Sequence, residues 1–348
     1  MPNENLVPVR RRYSKSSAFY ISTKKDFFSD NDALLRRALK QNALYASQPT
    51  RTHCKICRAQ LPGSADFTSH GVGYTFCPDC SHLNGTHQDT GAFVEQLYIA
   101  DAGKDYSSSY IDQNFAGRTS DIYVPKVDFL VDSLPHGARE ILDVGCGSGY
   151  FVYAALLRNI AATGIDVGAS MVEFGNRQIS HLTGQSPLLH VEEDAFFRAV
   201  VESKADIISA IGVIEHLREP HEFFDAFARS GARYLYYSVP MFSLSVVLEN
   251  IFKEVFPRQL SGGHTHLFTE ESIRTMNALI GITPIAEWRF GTDLMDLYRG
   301  SVTLLQKNKV SAKLTEAFTE GFASSIDDLQ SILDRNHFCS EIHCLGTK

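Results

Sequence analysis

Two patterns in this chain pair residue type with a spacing that could do chemistry. The first is Cys54-x-x-Cys57 followed by Cys77-x-x-Cys80, with nineteen residues between the pairs. Thiolates spaced this way close a tetrahedron around zinc, and the metal then supplies folding energy that a short loop-rich segment lacks. A former ribbon that folds without metal, or a redox pair, would carry the same cysteines. His53 and His82 flank the knuckles and could substitute, but four cysteines already close the site. Cys146, Cys339 and Cys344 read as core thiols. The second pattern is Asp143-x-Gly145-x-Gly147-x-Gly149, set between the apolar strand Ile141–Val144 and the helical apolar segment Phe151–Leu157. Glycine permits positive φ and carries no Cβ, so backbone can pass against a ligand. A dinucleotide-binding turn would instead need G-x-G-x-x-G.

Further carboxylates follow in order. Gly164-Ile165-Asp166 ends the next apolar stretch, Glu193-Asp194-Ala195 follows the third, and Ile211-Gly-Val-Ile-Glu-His-Leu-Arg-Glu-Pro220 follows the fourth. Alone, each acid after a strand would serve equally well as a turn residue or helix cap. Together they resemble the class I S-adenosylmethionine-dependent methyltransferases over about Tyr106–Arg289. The resemblance implies an α/β, Rossmann-like fold: a seven-stranded, mostly parallel sheet with helices on both faces and an antiparallel seventh strand at its edge. It also implies S-adenosyl-L-methionine as cofactor, with Asp143, Gly145, Cys146 and Gly147 along its methionine. Asp166 and Val167 would meet the ribose, Asp194 and Ala195 the adenine, and Ile211 and Gly212 the methyl-transfer pocket. Tyr110 and Arg118 fall where relatives cover the methionine end, as does Tyr106.

Methyl transfer is an in-line displacement, so the protein mainly aligns the acceptor and, for a hydroxyl, removes its proton. Glu215-His216 and the run Gly262-Gly-His264-Thr-His266-Leu-Phe268 are the candidates, since a histidine near its ordinary pKa suits a general base at neutral pH. Glu215-His216 would equally cap the following helix, and His264 and His266 would equally serve as structural hydrogen-bonders. Relatives that methylate quinone precursors bind a divalent metal with a glutamate three residues before the Glu-His pair; here that position is Gly212, which removes support for magnesium. Tyr236, Tyr237, Phe242 and the polar run Gly291–Arg299, with Asp293, Asp296 and Arg299, are candidate pocket walls, although an exposed helix start explains that run as well.

With its zinc ribbon, the chain is similar to methyltransferases of sugar, glycan and natural-product pathways. The sugar carbon-methylating members carry a further C-terminal domain that the residues after the sixth strand are too few to build. The expected reaction is methyl transfer to an oxygen or nitrogen, less readily a carbon, of a small molecule such as a sugar or glycan precursor. Alternatives are an RNA methyltransferase gripping its substrate with the ribbon, or a non-catalytic cofactor-binding scaffold. Nucleic acid is disfavoured by the net charge of −7, by a ribbon without a basic and aromatic stripe, and by the lack of Asn-Pro-Pro-Tyr.

The elements that must position these residues follow from periodicity. At 348 residues, 44% of them hydrophobic, the chain has room for one large or two ordinary domains. No apolar run approaches a membrane span, and Arg10-Arg11-Arg12 has no apolar core behind it, so a cytoplasmic protein is the expectation. The expected order is an arm and amphipathic helix (1–50, helix Asn31–Ser47 with Leu34, Leu35, Ala38, Leu39 and Leu44 inward), the zinc ribbon (51–90), and a Tyr-rich connector with a helix from Pro125 (91–134). The methyltransferase domain (135–348) completes it. Its strands are expected at Ile141–Val144, Ala162–Ile165, Leu188–Val191, Ala205–Ala210, Tyr234–Val239 and Ile282–Arg289. Ser301–Gln306 and Glu341–Leu345 compete for the seventh, the latter favoured, with Ser311–Arg335 an inserted helix.

Overall fold

A computed structural model describes residues 8–18, 30–96, 114–135, 140–260 and 264–348. Its strands are β1 (Arg10–Tyr13), β2 (Phe67–Ser69), β3 (Val72–Phe76), β4 (Leu83–Gly85), β5 (Glu140–Val144), β6 (Ala161–Asp166), β7 (Leu188–His190), β8 (Ile207–Ile211), β9 (Tyr234–Pro240), β10 (His266–Leu267), β11 (Thr283–Phe290) and β12 (Glu341–Thr347). Successive strand residues face opposite sides, and here both sides are apolar. Ile141, Ile207, Tyr236 and Trp288 enter one core, while Leu142, Ile208 and Tyr237 enter the other. Strands buried on both faces are the mark of a sheet covered by helices.

The main sheet runs β1-β11-β12-β9-β8-β5-β6-β7. Strands β5 to β9 pair in parallel, whereas β12 is antiparallel to both β9 and β11. The order reverses at β5, between β6 and β8, and the crevice beyond the carboxyl ends at such a point is where open α/β sheets bind ligands. This is the Rossmann-like arrangement expected.

Several details differ from expectation. The antiparallel seventh strand is the C-terminal segment, but it lies between the fifth and sixth strands rather than at the edge. Ser301–Gln306 belongs to helix Asp293–Lys307. An eighth strand, β1, pairs in parallel with β11, so the arginine run is a sheet edge; Arg12 stacks its guanidinium 4.1 Å above the Trp288 ring. The inserted helix is two helices, Ala312–Ala323 and Ile326–Arg335. Helix Asn31–Ala46 buries Asn31, Ala38, Asn42 and Tyr45, while Leu39 is exposed. Its asparagines explain this: Asn31 accepts from the Phe256 amide and donates to the Glu254 carbonyl, and Asn42 donates to the His70 carbonyl.

The ribbon is continuous with the rest. Its sheet, β10-β4-β3-β2, takes β10 from the segment after β9. Cys54, Ile56, Cys77 and Cys80 share a core with Val213, Phe223 and Phe224, and His221 donates to the Ile56 carbonyl at 2.8 Å. No helix among the described residues is long and apolar enough to cross a membrane.

Candidate active site

The glycine turn lies at the reversal point. Gly145, Gly147 and Gly149 have φ of 69°, 53° and 75°, which a side-chain-bearing residue adopts only with strain. The Gly145 and Cys146 amides donate to the Ile165 carbonyl at 2.9 and 3.0 Å. A Cβ on Gly145 would stand 2.7 Å from Val213, so the turn packs closely there, whereas one on Gly147 would meet only Met171 Sδ at 3.9 Å. The Gly147 peptide therefore leaves room for a ligand. Asp143 accepts from Ser209 Oγ at 2.7 Å, and burial pushes its pKa up to about 7.

Asp166, ending β6, accepts from the Gly147 amide on Oδ2 and from the Gly168 amide on Oδ1, each at 2.7 Å. Each oxygen retains a second lone pair, so two hydroxyls can still be accepted. Val167 beside it is 45% exposed, and Asp194 is exposed in the first turn of helix Glu193–Glu202, where the Ala195 amide donates to the Glu192 carbonyl. A glycine cradle, an unsaturated carboxylate, an exposed apolar residue and a second acid along one rim fit the methionine, ribose and base of S-adenosylmethionine. Arg118 places its guanidinium 5.2 Å from the Tyr150 ring at the start of the helix after the turn, and Tyr123 stacks on the same ring at 5.2 Å. Residues Thr119–Tyr123 form a π-helical turn, a feature frequent at functional sites. Tyr98, Tyr106 and Tyr110 lie outside the described residues.

Beyond β8, Gly212 (φ 67°) donates its amide to Ser238 Oγ at 3.0 Å and leads into the turn Ile214–His216. Glu215 is 5% exposed, its Oε2 has no hydrogen-bond partner, and burial pushes its pKa up to about 8. His216 Nε2 lies 3.9 Å from Glu215 Oε1, and the His264 ring stacks on His216 at 5.5 Å. His264 donates from Nδ1 to the Gln259 carbonyl at 3.1 Å, and burial lowers its pKa to about 4. Ligand-capable atoms of Glu215, His216 and His264 all lie within 4.8 Å of one another.

The backbone leading to His264 is held from below. Glu249 accepts from the Arg258, Gln259 and Leu260 amides at 2.6, 2.5 and 2.9 Å. Gly262 and Gly263 lie outside the described residues. His266 parts from His264: it is fully buried in β10, its Nδ1 2.7 Å from His82 Nε2 at the seam with the ribbon. His82 thus lies against His266 and outside the cysteine cluster.

The expected pocket walls behave differently. Tyr236 and Tyr237 are fully buried, their hydroxyls placed at His343 Nδ1 (2.9 Å) and Asn277 Oδ1 (2.7 Å). Asp293, Asp296 and Arg299 sit in a buried network rather than at an exposed helix start: Asp293 accepts from the Ser245 and Ser340 amides, and Asp296 pairs with Arg258 and Arg299 at 2.8 and 3.3 Å. Sequence reasoning passed over Lys126 and Glu341, an ion pair at 3.5 Å whose charges act on Glu215. The signal was there: Lys126 is a lysine on an otherwise apolar helix face, and it is buried.

All four ribbon cysteines are free thiols, with Sγ–Sγ separations of 3.6 Å (Cys54–Cys80) and 3.4 Å (Cys57–Cys77), and all within 4.8 Å. A tetrahedral site with bonds of about 2.3 Å needs sulfurs about 3.8 Å apart, so the cluster fits zinc. The Asn84 side-chain amide points at Cys54 Sγ from 3.6 Å, as an outer partner to a thiolate.

A probable fatty acid methyltransferase of Mycobacterium tuberculosis is 32% identical over 95 residues, which are 27% of this chain and 22% of that protein. The chain thus matches about a fifth of that relative's length. Among solved structures, magnesium protoporphyrin IX methyltransferase from Synechocystis PCC 6803 is 15% identical, with a TM-score of 0.47 over 74% of this chain and 100% of that one. A SAM dependent methyltransferase from Archaeoglobus fulgidus is also 15% identical, with a TM-score of 0.42 over 68% of this chain and 100% of that one. Residues 142–231, from β5 through the Glu215-His216 turn to the helix after it, match the family described as a methyltransferase domain.

Proposed function

We propose that the protein is an S-adenosylmethionine-dependent methyltransferase acting on an oxygen or nitrogen of a small molecule, with a sugar or glycan precursor the preferred class. The observation that carries this reading is the meeting of two sets of groups across the β5–β8 reversal point. The glycine turn with Asp143 and Asp166 lies on one side, and Glu215, His216 and His264 lie on the other.

The cofactor, when bound, supplies a methyl group on a positively charged sulfur. Gly145, Cys146 and Gly147 present backbone to its methionine, Asp166 takes the ribose hydroxyls, Asp194 and Ala195 border the adenine, and Ile211 and Gly212 line the transfer pocket. Arg118 covers the methionine end. On the acceptor side, His264 is held neutral with Nδ1 already donating, so its Nε2 accepts a hydrogen bond from the acceptor group. Glu215 is un-ionised at neutral pH and donates to, or above about pH 8 takes a proton from, whatever occupies the pocket. His216 stands beside both as a general base. His266 contributes by holding the ribbon against this loop. Zinc in the four cysteines fixes the ribbon, and through it β10.

Calorimetric titration with S-adenosylmethionine, then transfer of a labelled methyl group to a panel of nucleotide sugars, tests the reading. Binding followed by labelling of one acceptor class supports it; no cofactor binding would sink it.

A further inference from the structure

Glu215, His216 and His264 come from two separate segments, the turn after β8 and the loop after β9, so their meeting is a product of the fold. Glu215 is the unusual member. It is 95% buried by its 5% exposure, its Oε2 has no hydrogen-bond partner, and its Oε1 lies 3.9 Å from His216 Nε2, beyond hydrogen-bond range. A buried carboxyl oxygen without a donor is costly unless something compensates it. His264 has the wiring of a ligand: Nδ1 donates to a backbone carbonyl, which fixes the ring and makes Nε2 the lone-pair nitrogen. Gly212 leaves space beside Glu215, since a Cβ there would stand 3.7 Å from Oε1.

We propose that Glu215, His216 and His264 bind a divalent transition-metal ion at the acceptor side of the site, separate from the ion of the four cysteines. One carboxylate and two imidazoles suit zinc, cobalt, nickel or iron, whereas magnesium and calcium take shells of oxygen. This agrees with Gly212 offering no ligand, because the third donor arrives from the distant His264. Bonds of about 2.1 Å place neighbouring ligand atoms about 3.0–3.4 Å apart, so the three side chains draw together slightly on loading. Three protein ligands leave positions open for an acceptor oxygen, whose proton a bound cation makes easier to lose. In that role the proposal rests on the methyltransferase reading, narrows it toward hydroxyl acceptors, and gives the bound cation the part that the imidazole lone pairs of His216 and His264 play in the metal-free site.

The test uses full-length protein carrying one zinc per chain, titrated with cobalt(II) chloride and followed by visible absorption and calorimetry. The expected result is one further equivalent with weak d–d bands and no intense thiolate-to-metal band. Glu215→Gln and His264→Gln should each weaken that event at least tenfold while the ribbon zinc and the circular dichroism stay unchanged. No second equivalent at millimolar cobalt, a thiolate band, or binding that survives both substitutions overturns the proposal. Titration of the same samples with S-adenosylmethionine keeps the two readings apart. A missing metal with intact cofactor binding overturns only the metal, and missing cofactor binding overturns the methyltransferase reading.

Discussion

The Asp166 carboxylate and the Gly147 amide are joined by a 2.7 Å hydrogen bond, so the acid at the end of β6 also closes the glycine turn after β5. Its other oxygen holds the Gly168 amide. Under the proposed function, ribose recognition and turn geometry are coupled in one side chain.

Asp166→Ala should therefore act twice. Losing the ribose acceptor weakens S-adenosylmethionine binding by about 1.5–3 kcal/mol, and two amides lose their partner, which lowers the melting temperature of the ligand-free protein. Calorimetry and thermal unfolding read the two effects separately. Unchanged affinity would remove Asp166 from the site, and an unchanged melting temperature would reduce its bond to Gly147 to an incidental contact.

Asp143 should make cofactor binding pH-dependent. Burial raises its folded pKa to about 7 from an ordinary 3.8. The stability this group contributes is complete below about pH 4 and is lost as pH rises through 7. A positively charged sulfonium favours the ionised form, so affinity moves the opposite way. Binding should strengthen about tenfold between pH 6 and 8, and Asp143→Asn should abolish that slope. Equal slopes in both proteins would exclude Asp143 as its source.

The ribbon should hold one zinc and unfold with the rest of the chain. Its sheet includes β10, and its cysteines share a core with Phe223 and Phe224. Chelation is expected to lower the single melting transition by several degrees instead of releasing a small independent unit. Metal analysis showing no zinc, or a separate ribbon transition, would contradict this.

Strand positions were legible because both faces of the central strands are apolar and the strands are bounded by glycine, proline or acids. Each expected strand from Ile141 to Arg289 lies within a few residues of an observed one. The place of β12 between β9 and β11 was not legible, since pairing order across the sheet leaves no mark in local periodicity. Nor was the fate of the histidines. His264 and His266 are two apart, yet one joins Glu215 and the other joins His82, a division set by the loop path and the ribbon. Asp293, Asp296 and Arg299 read as pocket walls or an exposed helix start because their partners, Ser245, Arg258 and Ser340, are remote in sequence.

Glu249 tests whether that loop path matters. Its carboxylate accepts three consecutive amides, Arg258 to Leu260, and so aims the Gln259 carbonyl that fixes His264. Burial and the nearby Asp296 raise its pKa to about 7. Glu249→Gln keeps the shape but turns an acceptor into a donor facing an amide, which costs about 1–3 kcal/mol. It also removes a carboxyl whose stabilisation is full below about pH 4.5 and lost as pH rises through 7, so the loss of stability should be largest in acid and shrink toward pH 8. Cofactor affinity, governed by the far side of the crevice, should not change, while the His264 ring resonances should shift. A variant with normal histidine signals would show that the loop is held by other contacts.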